Sequence, residues 1–218
     1  MPLTKIKTQD GSDSFFSEEF QDTYHSQYGA LQEARHIFVQ AGFCFLQQNK
    51  KELRVFEMGF GTGLNAFLTC LAAEIPVQYT AVEAYPLEKE FWQTLNYAAC
   101  LPEAEALKIF TALHAASWEK DLRIRPHFTL HKIRALLEDI RIPSPVDLVY
   151  FDAFAPDAQP ELWTENIFAK LYAALTPGGV LVTYSAKGAV RRALEAAGFR
   201  TERLPGPPGK REFLRALK

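Results

Sequence analysis

From Arg54 onward, short apolar runs alternate with longer segments whose apolar positions recur every three or four residues. The runs predict buried strands at Arg54–Met58, Val77–Val82, Phe128–Ile133, Val146–Phe151 and Val180–Ser185. The periodic segments predict helices at Leu64–Ala73, Leu87–Ala99, Arg134–Ile140, Glu161–Leu175 and Ala189–Ala197. The last of these stops at Gly198, a C-cap glycine. Two extended segments, Arg200–Leu204 and Glu212–Leu217, flank a turn at Pro205–Gly209. Such alternation predicts an α/β, Rossmann-like fold: a mainly parallel sheet with helices on both faces, closed by an antiparallel C-terminal strand.

Ahead of this region, Ser14–Phe16 and Asp22–Ser26 predict a short hairpin, and Ala30–Phe45 carries apolar residues at helical spacing. Residues 1–45 therefore read as a hairpin and helix packed on a core domain of residues 46–218. Residues 101–127 fit the alternation poorly and read as an inserted helix or cap.

Composition narrows the class. With 218 residues, 48% hydrophobic and 23% charged, the chain can bury a core without staples. Cys44, Cys70 and Cys100 form no C-x-x-C, and His114, His127 and His131 have no ligand-like spacing, so no metal site is expected. No apolar stretch is long enough to span a bilayer and no apolar segment follows the N-terminus, so a cytoplasmic protein with reduced thiols is expected. Net charge is −2, unevenly spread. Residues 187–218 hold nine basic and three acidic residues, a local +6 that leaves −8 for the remainder. Such a patch is either a solvated face or a polyanion contact.

The sharpest chemical signal is Val55-Phe56-Glu57-Met58-Gly59-Phe60-Gly61-Thr62-Gly63-Leu64-Asn65. A strand running into alternate glycines and then a helix lets a ligand lie against the backbone at the carboxyl end of a sheet. A dinucleotide site favours G-x-G-x-x-G, whereas Leu64 stands at the last of those positions here; the alternative is a plain tight turn. Glu83 follows the second strand, twenty residues beyond Gly63, where a carboxylate accepts the hydroxyls of a ribose. Asp152 follows the strand Val146–Tyr150 and emerges at the same rim, either as a catalytic carboxylate or as a helix cap. At an ordinary pKa of ~3.9 it would orient an amine rather than deprotonate it. Tyr24 and His25 are candidate lids from the hairpin, with His25 read as a surface histidine. Tyr184 and Ser185 either line the site or pack beside it.

Met58–Asn65, Asp152-Ala-Phe-Ala-Pro156 with Trp163, Tyr184-Ser-Ala186 with Val190-Arg-Arg192, and Lys210-Arg211-Glu212 together resemble the MnmC-like (MnmD) tRNA methyltransferases. Asp22-x-Tyr24-x-Ser26 and Glu33-x-Arg35-x-x-Phe38 are similar to that family's N-terminal region. The antiparallel closing strand is likewise a habit of class I methyltransferases. The resemblance implies S-adenosylmethionine as cofactor, held by Glu57, Gly59, Gly61, Gly63, Asn65 and Glu83. It further implies Asp152 beside the reacting amine, and Tyr24, Tyr184, Arg191, Arg192, Lys210 and Arg211 toward the substrate. That substrate would be the aminomethyl group of a 5-aminomethyl-(2-thio)uridine in the anticodon of tRNA. With the sequence ending at Lys218, methyl transfer alone is implied, without a flavin oxidase. The adenine pocket departs from the common pattern, because Leu130–Arg134 offers no carboxylate. A methyl- or aminopropyltransferase for small amines and a non-catalytic RNA-binding module are the two alternatives. Oligomeric state is not legible.

Overall fold

The structure, a computed structural model, describes residues 2–136 and 138–218. Strands β1 (Leu3–Lys7), β2 (Asp13–Ser17) and β3 (Asp22–Thr23) form a small antiparallel sheet in which Phe16 faces Thr23. The expected hairpin is its β2–β3 half. A long helix follows, α1 over Ala30–Glu33 and α2 over Phe45–Gln47, with π-helical turns through Ala34–Cys44 between them. Gly42 lets this helix lie close on the main sheet: a Cβ there would come within 3.2 Å of Leu148 and Tyr150 and 3.1 Å of Val182.

The main sheet continues with β4 (Leu53–Met58), α3 (Leu64–Ala72), β5 (Val77–Glu83), α4 (Lys89–Trp92), α5 (Ala106–Ala115), β6 (Asp121–Arg125) and β7 (Phe128–Arg134). It ends with β8 (Val146–Phe151), α6 (Glu165–Ala174), β9 (Leu175–Thr183), α7 (Gly188–Ala196), β10 (Arg200–Pro205) and β11 (Glu212–Leu217). Strand order is β10-β11-β9-β8-β4-β5-β7-β6. The five central strands are parallel, while β11, β10 and β6 run antiparallel to their neighbours. The expected antiparallel closing strand is β11, inserted between β9 and β10.

Alternation along the strands divides the core in two. Val55, Leu148, Tyr150, Val180 and Val182 face the π-helical segment, α3 and α5, whereas Phe56, Val149, Phe151 and Leu181 face α6 and α7. The order in which strands are laid down reverses between the parallel neighbours β4 and β8. A crevice opens at their carboxyl ends, where open α/β sheets bind ligands. No helix of the described residues is long and apolar enough to cross a membrane.

Two expected helices do not form as read. Within 87–99, helix is confined to Lys89–Trp92, and a 3₁₀ turn follows at Tyr97–Cys100. Asn96 is the cause: its N–H donates to Asp13, while its side chain accepts from Asp13 N–H and donates to the Gly11 carbonyl. These tertiary bonds outweigh helix propensity. The described residues of 134–140 turn and bend; Leu137 lies outside the described residues. Arg134 N–H donates to Glu119 and Ala135 N–H to the Glu83 carbonyl, which extends β7 toward the crevice. Residues 101–127 supply α5, in the crossover from β5 to β7, together with edge strand β6.

At the opposite end of the sheet, buried Asp147 accepts from Arg54 N–H, Lys50 Nζ, Arg54 Nε and Thr176 Oγ1 at 3.0–3.2 Å. Burial alone would raise its pKa, but these donors hold it below the ordinary value. The unfolded chain thus binds this proton more readily, and the stabilisation is lost as pH falls through the depressed pKa. Asp147→Asn is expected to cost about 1–3 kcal/mol at neutral pH. Urea denaturation should show the gap to wild type closing in acid.

Candidate active site

The glycine turn is shaped from outside. The N–H groups of Gly59 and Phe60 both donate to the Val82 carbonyl on β5, at 3.0 and 3.2 Å. Gly59 and Gly61 have φ of 84° and 48°. A Cβ at Gly59 would lie 3.2 Å from the Asp152 carbonyl oxygen, and one at Gly61 3.3 Å from the Tyr24 ring. Both positions require glycine for conformation and for space. Gly63 follows, and α3 begins at Leu64.

Glu83 ties this turn to β5. Its Oε2 accepts from Gly61 N–H and its Oε1 from Tyr85 N–H, each at 2.8 Å. Burial raises its pKa, and the backbone N–H groups of Tyr85, Gly61 and Ala84 oppose the rise. A carboxylate offers about four acceptor sites, so these backbone donors leave capacity for a ligand's hydroxyl. Glu83 lines a cavity of about 310 Å³ that runs past Val82 to Ala135, Leu136 and Glu138. Glu138 is a carboxylate beyond β7, in the loop where a helix was expected. No local pattern in the sequence marks it.

Asp152 leaves β8 across the crevice, its N–H reaching the Met58 carbonyl at 3.3 Å. Asn65, in the first turn of α3, donates from Nδ2 to Asp152 Oδ2 at 2.7 Å. Glu57 does not line the cavity; it is buried below the turn. Its Oε2 and Asn65 Oδ1 are buried without a hydrogen-bond partner. Burial pushes the Glu57 carboxyl well above the ordinary range, which favours its protonated form, and Asn65 Oδ1 is the nearby acceptor for that proton. Glu57, expected as a cofactor ligand, lies below the turn beside Asn65 and not on the cavity wall.

Thr62, inside the turn, is clamped from three elements. His25 Nε2 and Thr62 Oγ1 share a 2.6 Å hydrogen bond, Tyr97 Oη donates to the same oxygen, and His114 Nε2 donates to the Thr62 carbonyl at 3.1 Å. Burial lowers the pKa of His25 to about 4 and that of His114 to about 3, so both are neutral. His25 is thus a half-buried anchor and not the surface histidine expected from sequence. Lys132, also unforeseen, is buried beside them. It donates to the Leu113 and His114 carbonyls at the end of α5 and lies over the rings of Phe60 and Trp118.

The outer wall is aromatic and acidic. Phe20 stacks on Phe154 and Tyr24 meets Phe154 edge-on, while Asp22 accepts from Ala155 N–H, fastening the N-terminal sheet to the Asp152 loop. Tyr184 Oη donates to the Ala153 carbonyl. Lys210 points inward, 3.1 Å from Glu33 Oε2 and 4.0 Å above the Tyr184 ring. Glu33, which the sequence marks only within the N-terminal resemblance and without a role, sits where the π-helical turns begin. Such turns occur frequently at functional sites.

Arg191, Arg192 and Arg211 lie outside the cavity. Arg191 pairs with Glu195, and Arg192 and Arg211 are exposed. Within residues 187–218, Lys187 pairs with Asp157 and Lys210 with Glu33 from outside the segment, whereas Arg203–Glu212 and Arg215–Glu202 pair inside it, so most of the local +6 is left unanswered.

A neutral Glu57 yields a test by urea denaturation. The native state holds a proton that the unfolded chain releases above pH ~4.3, so this group lowers wild-type stability as pH rises toward its raised pKa. Glu57→Gln should match wild type within ~0.5 kcal/mol near neutrality or exceed it. Glu57→Leu, which strands Asn65 Oδ1, should lose about 1–3 kcal/mol. Equal losses in both variants would contradict a protonated Glu57.

Comparison with known proteins bears on what this crevice holds. A family model described as S-adenosyl-L-methionine-dependent methyltransferase matches residues 102–218. The "tRNA 5-methylaminomethyl-2-thiouridine biosynthesis bifunctional protein MnmC" of Pseudomonas savastanoi pv. phaseolicola is 33% identical, over 91% of this chain and 32% of that protein. The protein of the same description from Aromatoleum aromaticum is also 33% identical, over 99% of this chain and 36% of its own length. The chain therefore spans about a third of the length of these curated relatives. Among solved structures, MNMC2 from Aquifex aeolicus superposes with a TM-score of 0.80 at 24% identity, covering 99% of this chain and 70% of that one. Spermidine synthase from Thermotoga maritima gives 0.56 at 14% identity, covering 100% and 71%. Both share the fold. The glycine cradle, too tight for a Cβ at Gly59 and Gly61, and the remaining acceptor capacity of Glu83 suit the nucleoside cofactor that the family model names. With sequence, fold and cradle in agreement, the chain belongs to the S-adenosyl-L-methionine-dependent methyltransferases and is MnmC-like over nearly its whole length.

Proposed function

We propose that the chain methylates the aminomethyl group of a 5-aminomethyl-(2-thio)uridine at the wobble position of tRNA. The observation that carries this reading is Asp152, held by Asn65 at the crevice between β4 and β8, beside the glycine turn. The printed descriptions of the MnmC relatives support the substrate class. By this reading Gly59, Gly61, Gly63 and Asn65 surround the cofactor and Glu83 takes its ribose hydroxyls. Bound S-adenosylmethionine supplies an electrophilic methyl group on a sulfonium.

Asp152 has a stronger role here than its residue type suggests. Burial, then the charge of Glu33, push its pKa up to about 7, against the opposing pull of Asn65 and Lys210. An acceptor amine with a lysine-like pKa of ~10.4 must lose a proton before its lone pair can attack. Passing that proton to an ordinary carboxylate at ~3.9 costs roughly 9 kcal/mol, whereas a base near 7 brings this to roughly 5 kcal/mol. Asp152 can therefore deprotonate the amine as well as orient it. Tyr24 and Phe154 form an aromatic wall on which a uracil ring can rest.

Arg191, Arg192 and Arg211 are proposed to meet the tRNA backbone. Surface ion pairs such as Arg191–Glu195 contribute about 0–1 kcal/mol and are readily exchanged for phosphate contacts. No pairing at this surface opposes docking strongly.

Asp152→Asn should lower turnover on tRNA carrying the aminomethyl group by about 100-fold or more. Calorimetric affinity for S-adenosylmethionine should stay within a few-fold of wild type. In wild type, kcat/KM should fall on the acid side of an apparent pKa of about 7, and the variant should lack that limb. Methylation of free spermidine with none of tRNA would contradict the proposed substrate.

A further inference from the structure

Among the described residues, seven carboxylates line the cavity, and Lys210 is its only lysine or arginine. Such a lining is hostile to phosphate and favourable to cationic ligands. Within it one place is already built for an ammonium group. Glu33, 6% exposed, places Oε2 3.1 Å from the Lys210 Nζ, and the Tyr184 ring lies 4.0 Å beneath the same nitrogen. A carboxylate and an aromatic face are the two groups that hold an ammonium best away from bulk water. The Tyr184 ring is steadied by its hydroxyl bond to the Ala153 carbonyl, one residue from Asp152.

We propose that Glu33 and the face of Tyr184 form the ammonium subsite of the acceptor, and that Lys210 fills this subsite when no acceptor is present. The inference rests on the proposed amine acceptor. It adds where that amine waits as an ammonium before Asp152 takes its proton. Lys210 belongs to the turn between β10 and β11, closed by Lys210 N–H on the Pro207 carbonyl and Gly206 N–H on the Arg211 carbonyl. Its backbone is therefore fixed, and only the flexible side chain has to leave. Charge is conserved in the exchange, since one ammonium replaces another on Glu33. No covalent step is added to the reaction.

Steady-state kinetics of Glu33→Gln and Lys210→Met on tRNA carrying the aminomethyl group test this directly. Lys210→Met removes the internal competitor, and the acceptor KM should fall about threefold or more. Glu33→Gln should raise acceptor KM about tenfold or more at pH ~7, where the amine is an ammonium, with cofactor affinity unchanged. That defect should shrink toward pH ~9.5, as the ammonium fraction declines. The double variant should keep the acceptor defect of Glu33→Gln. A rise in KM for Lys210→Met with a shallower salt dependence would overturn the inference, because the lysine would then be a phosphate contact. A Glu33→Gln defect equal at all pH values, or recovery of wild-type KM in the double variant, would also overturn it by making the pair structural. If wild type itself does not methylate this tRNA, the functional reading fails and the inference falls with it. Wild-type turnover with an unaffected Glu33→Gln defeats the inference alone.

Discussion

The turn after β4 cannot hold its own shape, because Gly59, Gly61 and Gly63 carry no side chains and all have positive φ. Its geometry is imposed by hydrogen bonds arriving from four directions. The Val82 carbonyl receives two of its N–H groups, Glu83 receives a third, and Thr62 is gripped by His25, Tyr97 and His114. Each anchor depends on a different part of the fold: β5, the N-terminal sheet, the 3₁₀ turn at Tyr97–Cys100 and α5. The N-terminal segment thus helps to fix the glycine turn. Through Asp22 and Ala155 it also fixes the loop that follows Asp152.

A second constraint is the allocation of charge in a poorly solvated crevice. Glu57 and Asp152 are bridged by a single amide, and two adjacent buried anions would repel strongly. The upward shift of Glu57 favours Asp152 as the anion that Asn65 addresses. Glu33 raises the basicity of Asp152 from the other side, and Lys210 restrains it. Two carboxyl groups with environments that push their behaviour apart are a common basis for acid–base chemistry. Neutral His25 and His114 add no charge to this balance.

Much of the fold was legible because β4 and β8 are buried on both faces and so read as largely apolar runs. The glycine spacing, Glu83 and Asp152 were legible for the same reason: each directly follows such a strand. What could not be read was set by contacts distant in sequence. Asn96 breaks an apparently helical segment because Asp13 and Gly11 bind it. His25 resembles a surface residue until Thr62 is placed beside it. Glu57 occupies a position typical of a cofactor ligand, yet its side chain faces Asn65 and Tyr79 below the turn. Glu33 and Lys210 lie 177 positions apart and acquire meaning only across the cavity. The basic C-terminal segment was visible as charge, but its pairing with Asp157 and Glu33 was not.

The most direct measurement is methyl transfer from labelled S-adenosylmethionine to tRNA that retains the unmethylated aminomethyl group, followed by nucleoside mass spectrometry. One added methyl group on 5-aminomethyl-(2-thio)uridine, and on no other nucleoside, is the result this account predicts. Label on a different nucleoside, or none in tRNA despite measured cofactor binding, would contradict it.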